Sequence, residues 1–396
     1  MFPQTVIEQF KAVFGEEQEI VVRAPGRINL IGEHTDYNSG YVLPAAIDKA
    51  IWFAASKRND DRFIIHSLDL NDSFDSKEGE IRQQSQQSWV NYLLGVVSEA
   101  RKDGFKVGGL NIVFGGNVPL GAGLSSSAAL ECGMGHIVNE LFSIGMDKMD
   151  IVKLAQRAEN KFVGMQCGIM DMFASVMGRC ENVVRLDCRS LEYEYFPFKS
   201  SEYTLILCNS GVKHALVDSE YNTRRRECET GVAQIKMSYP DIRSLRDITP
   251  SMLEQEKSNL SEVVYRRCNY VIGEIERVED ACEALINNDL VQFGSLMYQT
   301  HDGLQHDYEV SCTELDFLVD MTKQFNTVMN QKDAVLGARM MGGGFGGCSI
   351  NLVKKSALKS FLSFMQTAFQ AEYNRELPCH EVALTDGVAT IYPKEN

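Results

Sequence analysis

The sequence lacks the cysteine pairs that mark disulfide-rich or zinc-binding proteins. Its eleven cysteines are an odd number, lie singly along the chain and include no Cys-x-x-Cys pair. This usage is typical of reduced thiols in the cytoplasm, most of them small buried hydrophobic side chains. We therefore expect a cytoplasmic protein without disulfide bonds.

Long apolar runs are also missing. The most apolar window, residues 41–56, is interrupted by Pro44, Asp48 and Lys49, whereas a membrane-spanning helix needs about 20 apolar residues. The first 19 residues lack the basic and apolar regions of a signal peptide and predict a short amphipathic helix. We expect neither export nor a membrane partner.

Basic residues are in deficit, with 39 Lys and Arg against 54 Asp and Glu and a net charge of -15. This balance argues against a general nucleic-acid binder, because such proteins neutralise phosphates. The remaining composition, 44% hydrophobic and 23% charged, is that of a globular protein. A length of 396 residues predicts about two domains, since single hydrophobic cores stop growing near 250–300 residues.

Hydrophobic periodicity predicts an α/β (α+β) chain divided into residues 1–205 and 206–396. In the first part, strands at 20–23, 41–43 and 51–57 are followed by helices at 89–101 and 149–162. Between these helices, a strand at 110–114 leads through a glycine-rich loop into another helix. The second part is richer in long helices, at 221–238, 260–287, 290–302, 314–324 and 357–373, with a strand pair around a glycine cluster and a last strand at 387–392.

The segment NVPLGAGLSSSAAL, residues 117–130, is typical of a phosphate-binding loop. Its glycines allow a close backbone approach, and its serines stand where the next helix exposes free N–H groups. No Lys follows the glycines as in a P-loop, so positive charge must come from the helix end, a metal or another segment. The alternative is a helix capped by a serine after a glycine turn.

A second glycine cluster, GGGFGG at residues 342–347, matches the dinucleotide-binding pattern by letter only. A strand follows it rather than a helix, and no acidic residue lies about 20 positions later. Close packing of one loop against another loop or a ligand is the better interpretation.

Residues 27–36 hold four ionisable side chains in one loop: Arg27, Glu33, His34 and Asp36. So many hydrogen-bonding groups suit a polyhydroxylated ligand, whose hydroxyls each need a donor and an acceptor. A solvated turn would explain any one of them, but explains the four together less well.

Two further carboxylates are candidate site residues, and two other patterns can be set aside. Glu159 stands at a predicted helix end, where the alternative is a solvated position, and Asp171 follows a glycine loop, where the alternative is a helix N-cap. Residues 224–226, three arginines among glutamates, predict a solvated, ion-paired helix face. His301 and His306 are five apart and belong to no His-Glu-x-x-His motif, so we do not expect a zinc hydrolase.

Taken together, these segments resemble the GHMP small-molecule kinases and, within them, the galactokinase family. GRINLIGEHTDY at 26–37 resembles that family's sugar signature, residues 119–128 its phosphate loop, and GARMMGGGFGG at 337–347 its third motif. Further similarity lies in CGIMD at 167–171, SEYNTRRR at 219–226 and DYEVSCTELD at 307–316. The resemblance covers residues 21–352, nearly the whole chain.

This resemblance implies N- and C-terminal GHMP kinase domains with the active site in the cleft between them. It implies transfer of the γ-phosphoryl group of ATP, with Mg²⁺, to the anomeric hydroxyl of α-D-galactose, the first step of the Leloir pathway. Asp171 would take or orient the hydroxyl proton beside Arg27, and Ser127 and Glu159 would hold Mg²⁺. The implied sugar contacts are Glu33, His34, Asp36, Gly168 and Tyr221. The implied nucleotide contacts are Gly121, Ala122, Gly123, Leu124, Ser125, Ser126, Ser127 and Trp89.

The sequence departs from the family pattern at two positions, Met172 in place of Gln and Met341 in place of Thr, and neither removes a group that the chemistry requires. Two alternatives stay open: a kinase for a related sugar such as N-acetylgalactosamine, and a non-catalytic sensor of galactose and ATP. The second is disfavoured because Arg27, Ser127, Glu159 and Asp171 are all present. A monomer is expected, with a homodimer as the alternative.

Overall fold

The structure is a computed structural model that describes residues 2–76, 81–119, 122–212, 217–331 and 333–392. The strands in chain order are β1 Ile20–Asn29, β2 Tyr41–Val42, β3 Pro44–Lys57, β4 Phe63–Ser67, β5 Asp72–Asp75, β6 Leu110–Gly116, β7 Asn182–Asp187, β8 Tyr193–Pro197, β9 Tyr203–Asn209, β10 Val335–Met340, β11 Cys348–Lys354, β12 Cys379–Val382 and β13 Ala389–Tyr392.

The helices in chain order are α1 Phe2–Phe14, α2 Asn91–Lys102, α3 Ser126–Leu141, α4 Lys148–Arg157, α5 Met170–Met177, α6 Val217–Ile235, α7 Pro250–Glu256, α8 Glu262–Ile286, α9 Leu290–His306, α10 Thr313–Val328 and α11 Leu358–Tyr373. A π-helical segment, Ala158–Val163, directly continues α4. Mixed helix and sheet confirms the predicted α/β (α+β) class.

Three sheets organise these elements. Six strands form the first, in the order β13-β1-β3-β6-β4-β5, and α2 to α5 cover one of its faces. Apolar side chains of α1, including Val6 and Phe10, cover the other face against Trp52 and Val113. Strands β10-β11-β9-β12 form the second sheet, packed on the long helices of the second part, and β2-β7-β8 form the third.

The two parts of the chain are tied together at its end. Strand β12 pairs with β9 in the second sheet, whereas β13 returns to pair with β1 in the first. Because hydrophobic patterning carries no information on which sheet edge a short strand joins, the sequence did not predict this return. The division of the chain at 205 and 206 stays a prediction.

Candidate active site

Two cavities meet where the two parts of the chain face each other. The first, here called the acidic cavity, has a volume of about 270 Å³ and is lined by Glu33, Asp36 and Asp171 among others. The second, the glycine cavity, has a volume of about 440 Å³ and is lined by residues 123–127 and 341–347. Arg27 lines both cavities. A group passing from one to the other would therefore pass this arginine.

Arg27 forms a bidentate ion pair with Asp171. Its Nε and Nη2 donate to the two carboxylate oxygens at 2.7 and 2.8 Å. Burial opposes the charge of Arg27, but the field of Asp171 outweighs it and holds the arginine pKa above its ordinary value. Ile169, not Asp171, is the N-cap of α5, so the N-cap alternative is wrong. The pair places a fixed carboxylate and a fixed cation at the junction of the cavities.

The phosphate-loop candidate docks on the same arginine. The backbone N–H of Arg27 donates to Leu124 O at 3.1 Å, and its Nη1 donates to Gly123 O at 2.5 Å. Gly26 permits this approach, because a Cβ there would lie 2.8 Å from Leu124 O. Within the loop, Ala122 and Leu124 are buried. Gly121 lies outside the described residues.

The serines of this loop do not cap helix α3. Ser125 occupies the N-cap position with a φ of 53°, but its side chain donates to Asp171 and accepts no hydrogen bond from the helix. The predicted alternative, a serine-capped helix, is therefore wrong. The N–H groups of the first turn lack a side-chain cap from Ser125 and lie beside the glycine cavity, which Ser126 and Ser127 also line.

Glu159 lies in the π-helical segment and is buried, 5% exposed, so the alternative of a solvated helical position is wrong. Burial and the field of Asp171 raise its pKa to about 7, against hydrogen bonds from Cys167 and Ser127. The fully buried Glu131 of α3 lies beside it, and burial together with Glu159 raises the pKa of Glu131 to about 11. Among the residues that the structure describes, the leading causes of these two pKa shifts include no cation that offsets the charge of the buried carboxyl groups.

The donor set around Glu159 fits Mg²⁺ in kind. A hydroxyl and a carboxylate are hard oxygen ligands, and Mg²⁺ commonly takes one or two carboxylates and completes its shell with phosphate and water. In the part of the chain that the structure describes, no group of three or more acidic, His or Cys side chains forms a metal cluster. Within those residues, Ser127 and Glu159 are the candidate ligands.

The predicted sugar-binding residues line the acidic cavity, and partners from both parts of the chain hold them in place. Glu33 accepts from Arg339 Nη2 at 3.0 Å and from Gly342 N at 2.8 Å. Burial, and then the field of Asp171, raise the pKa of Asp36 to about 6. Gly168 is required beside it, since a Cβ there would lie 1.6 Å from Asp36 Oδ2.

Aromatic rings close the far side of the acidic cavity. His34 contacts Tyr221 with ring centroids 5.4 Å apart, and both residues line the cavity. Burial, and then the nearby charge of Arg224, lower the pKa of His34 to about 3, so the imidazole is neutral at physiological pH. The structure thus brings Glu33, His34, Asp36, Gly168 and Tyr221 together.

Trp89 lies apart from the other predicted residues. Its indole N–H donates to Asp72 at 2.8 Å, and its ring packs on Phe114. It lines neither cavity, whereas Tyr92, one helical turn later, lines the glycine cavity. Contact of Trp89 with the adenine stays a prediction.

Sequence reasoning missed two residues that shape the site and misjudged a third. Arg339 lies within the third motif and Glu131 within helix α3; both are fully buried, and the sequence did not predict either as a site residue. Arg224 is buried and donates to the carbonyls of Tyr308 and Glu309, so the predicted solvated face is wrong for it, although Arg225 does pair with Glu229 at the surface. A partial signal was present, since Arg224 precedes the apolar Cys228 by four residues, a spacing that places both on one helix face.

The two departures from the family pattern differ in position. Met172 is fully buried in the first hydrophobic core and lines neither cavity. Met341 lines the glycine cavity. Of the two, only Met341 therefore lies at the predicted nucleotide site.

Family signatures match this chain in three places. They are the galactokinase galactose-binding signature at residues 8–57, the GHMP kinase N-terminal domain at 91–179 and the GHMP kinase C-terminal domain at 281–371. Galactokinase of Thermotoga petrophila is 40% identical over 370 residues, 93% of this chain and 99% of that protein. Galactokinase of Clostridium beijerinckii is 38% identical over 386 residues, 96% of this chain and 97% of that protein.

This chain belongs to the galactokinase family. A crystal structure of Lactococcus lactis galactokinase complexed with galactose has a TM-score of 0.89 at 32% identity, covering 97% of this chain and 98% of that one. A mevalonate kinase structure, with a TM-score of 0.61 at 17% identity, shares the fold alone. The predicted family, fold class and kinase activity are thereby confirmed.

Two expectations concern the cysteines and the helices, namely reduced thiols and no membrane-spanning segment. All eleven cysteines are free thiols, and most are buried or partly buried. Across the described ranges, helices with the length and apolar content needed for a bilayer are absent.

Proposed function

We propose that this member of the galactokinase family transfers the γ-phosphoryl group of ATP to the C1 hydroxyl of α-D-galactose, giving α-D-galactose 1-phosphate and ADP. The observation that carries the proposal is the Arg27–Asp171 pair at the junction of the two cavities. A sugar in the acidic cavity and a triphosphate in the glycine cavity would meet at this pair. Phosphoryl transfer depends mainly on such positioning and on charge stabilisation.

Asp171 takes or orients the proton of the C1 hydroxyl. Its carboxylate accepts hydrogen bonds from Arg27 Nε and Nη2 and from the Ser125 hydroxyl, so its orientation is defined before the sugar binds. The hydroxyl oxygen attacks the γ-phosphorus, the bond to the bridging oxygen of ADP breaks, and the hydroxyl proton passes to Asp171 or to the product phosphate. Arg27 stabilises the negative charge of the moving phosphoryl group.

The glycine cavity holds the nucleotide. Backbone N–H groups at the start of α3 and the loop of residues 122–127 wrap the phosphates, which suits an acidic protein because the helix end supplies local positive potential. Mg²⁺, when bound with ATP, neutralises phosphate charge, and Ser127 and Glu159 are its proposed ligands. Gly121 and Trp89 complete the set of proposed nucleotide contacts.

Sugar recognition belongs to the acidic cavity. Asp36 is proposed to accept from the axial C4 hydroxyl, while Glu33 and His34 hold the C6 end and Gly168 and Tyr221 line the ring. A carboxylate matched to that hydroxyl is left unpaired by glucose, whose C4 hydroxyl points elsewhere. Such a mismatch costs about 1 to 3 kcal/mol, and more for a charged group.

The test is ADP release with ATP, Mg²⁺ and a panel of sugars: galactose, glucose, N-acetylgalactosamine and none. We expect strong preference for galactose in kcat/KM and no sugar-independent turnover at comparable rate. Comparable rates with galactose and glucose would overturn the assignment, and galactose binding without ADP release would favour a sensor. In Asp36→Ala, the ratio of kcat/KM for galactose to kcat/KM for glucose should fall by at least about tenfold.

Three finer points are proposals of the same kind. The free thiols suit a reducing cytoplasm. A monomer is the expected state, with a homodimer as the alternative, and sedimentation of the purified protein decides between them. Nucleic acid is not an expected partner, given the net charge of -15.

A further inference from the structure

Helix α8 of the second part holds the backbone of the loop between β1 and β2, residues 30–40, here called the signature loop. Gly32 N donates to Glu274 Oε1 at 2.8 Å, and Tyr270 Oη donates to Glu33 O at 3.2 Å. Both directions are fixed, because a backbone N–H can only donate and a carbonyl oxygen can only accept. Tyr270 and Glu274 lie four residues apart on α8, so one face of this helix binds two successive residues of the loop.

The signature loop depends on such anchors because part of its backbone is strained. His34 has a φ of 63°, in the left-handed region that residues other than glycine rarely adopt. Residues in such conformations persist only where their surroundings impose them. The carbonyls of Gly32 and His34 accept from the side chains of Thr35 and Asn38 at 2.9 Å, within the loop itself. Gly32 N and Glu33 O, by contrast, take their partners from α8, so the second part of the chain completes the support of the loop.

Glu274 is itself fixed in place. It is fully buried, and Arg277 Nε and Thr300 Oγ1 donate to its Oε2 at 2.8 and 3.0 Å. Burial opposes the charge of Arg277, but the field of Glu274 and their hydrogen bond outweigh it and hold the arginine pKa above its ordinary value. Hydrogen bonds to a charged group are shorter and stronger than neutral ones. The carboxylate that accepts from Gly32 N therefore has one orientation.

The two anchors act on the acidic cavity only through the signature loop. Among the described residues, Glu33 and His34 line this cavity, whereas Tyr270 and Glu274 do not. Since the allowed side-chain rotamers depend on backbone φ and ψ, a change in the loop backbone changes the direction of the side chains that it carries. The anchors therefore affect a ligand in this cavity through the backbone of Gly32 and Glu33.

We propose that Glu274 and Tyr270 are positioning residues for sugar recognition, which hold Gly32 and Glu33 so that the signature loop presents its side chains to the acidic cavity. This inference rests on the proposed function, because the sugar is the ligand whose affinity the loop sets. Neither Glu274 nor Tyr270 is among the described residues that line the glycine cavity, so nucleotide affinity should not depend on them. Loss of either anchor should weaken galactose binding selectively.

The first measurement needs no sugar. Hydrogen–deuterium exchange, followed by mass spectrometry of peptides from the signature loop, reports how often the Gly32 N–H loses its bond. Glu274→Met removes the acceptor and keeps the approximate size of the side chain, so exchange at this amide should accelerate at least about tenfold. Glu274→Gln keeps an oxygen for the amide and should restore most of the protection.

The matched control is Glu99→Met. Glu99 is also a buried glutamate paired with a cation three residues later, Lys102, and it lines neither cavity. Its substitution lowers stability without touching the signature loop. Exchange in the loop and the affinity for both ligands should therefore stay at the wild-type level.

The second measurement separates the two ligands. Calorimetry without nucleotide should show galactose affinity about tenfold weaker in Glu274→Met and within about threefold of wild type in Glu274→Gln. ATP affinity, measured without sugar, should stay within about twofold in both variants. In steady-state kinetics the same loss should appear in KM for galactose, with kcat and KM for ATP nearly unchanged. A general loss of stability would not separate galactose from ATP in this way.

Should Glu274→Met fail to fold, Tyr270→Phe carries the same comparison, because it removes one hydroxyl and keeps the ring; a loss of about threefold, confined to galactose, is expected. Four results would each overturn the proposal: unchanged exchange at Gly32 in Glu274→Met, equal losses for galactose and ATP, a Glu274→Gln variant as weak as Glu274→Met, or wild-type galactose affinity in Tyr270→Phe. Failure of the proposed function looks different, because wild type would then release no ADP with galactose, while the exchange result stands unaffected.

Discussion

The acidic cavity and the glycine cavity are built from different chemical groups although they share Arg27. In the acidic cavity, charged side chains are held by partners from both parts of the chain, as Glu33 is held by Arg339 and Gly342. Most residues that line the glycine cavity belong to the two glycine-containing segments, 123–127 and 341–347, and Glu159 is its one carboxylate among the described residues.

This difference matches the chemistry of the two proposed ligands, a sugar in the acidic cavity and a nucleotide in the glycine cavity. Sugars that differ in one hydroxyl are told apart only by side chains in fixed orientation, and leaving a buried carboxylate unpaired supplies the discrimination. Phosphates differ little between nucleotides, so backbone N–H groups and a helix end suffice to bind them. The comparison predicts that substitutions in the acidic cavity change sugar choice and stability, whereas those in the glycine cavity change rate and metal use.

The largest effect is expected at the junction, where the two cavities cannot be separated. Asp171→Asn keeps the size of the side chain and removes the charge that Arg27 holds, so kcat should fall about a thousandfold. Calorimetry should still show binding of galactose and of ATP. Asp69→Asn is the control, since Asp69 accepts from Gly116 N outside both cavities. Near-normal turnover of Asp171→Asn would mean that the hydroxyl loses its proton in another way.

Arg339 tests whether the acidic cavity depends on the second part of the chain. This buried guanidinium donates to the carbonyls of Asn29, Leu30 and Met340 and to Glu33. Arg339→Met leaves the buried carboxylate of Glu33 without its cation and should lower the free energy of unfolding by about 3 to 5 kcal/mol.

The matched control is Arg225→Met, which removes an exposed ion pair with Glu229 and should cost less than about 1 kcal/mol. Urea unfolding of the three proteins gives the comparison. Equal stability of both variants would show that Arg339 does not support the cavity.

Glu159 sharpens the contrast from the side of the glycine cavity. Glu159→Gln should lower kcat/KM about a hundredfold and raise the Mg²⁺ concentration needed for half-maximal rate, while galactose affinity stays within about twofold. Glu99→Gln, a buried glutamate of α2 paired with Lys102, is the control. An unaltered Mg²⁺ requirement would remove Glu159 from the metal role.

The smallest expected effect concerns the free energy of unfolding, which the buried carboxylate of Asp36 lowers at neutral pH. The folded-state pKa of Asp36, about 6, lies above its ordinary value of 3.8, so the folded protein holds this proton more tightly than the unfolded chain. The stabilising contribution is therefore present below about pH 4 and is lost as the pH rises through 6, leaving a cost at pH 7.

Asp36→Asn removes that cost and should raise the free energy of unfolding at pH 7 by up to about 3 kcal/mol, a gain that largely disappears near pH 4. Denaturant melts of wild type and variant at the two pH values test the sign. Loss of stability at pH 7 would show that the carboxylate is compensated by partners, and not strained, in the absence of sugar.

The motifs themselves were predictable because they are local. Gly26, Gly123 and the serines at 125–127 stand within short segments whose backbone freedom and hydroxyl chemistry can be read without a fold. Helices such as α8 and α11 were predicted within a few residues of their ends, since their apolar faces repeat at helical spacing. Asp171 and Arg27 could be named, but their contact is a long-range one between residues 144 positions apart.

The sequence by itself determined the α/β class, the glycine loops, the acidic surface and the resemblance that names the family. The tertiary structure decided which of these groups meet: that Ser125 serves Asp171 and not helix α3, that Glu131 stands behind Glu159, and that Arg224 and Arg339 are buried. The physical reason is that hydrogen bonding, burial and pKa depend on neighbours brought in from distant segments, and hydrophobic periodicity specifies an element's face but not its partner.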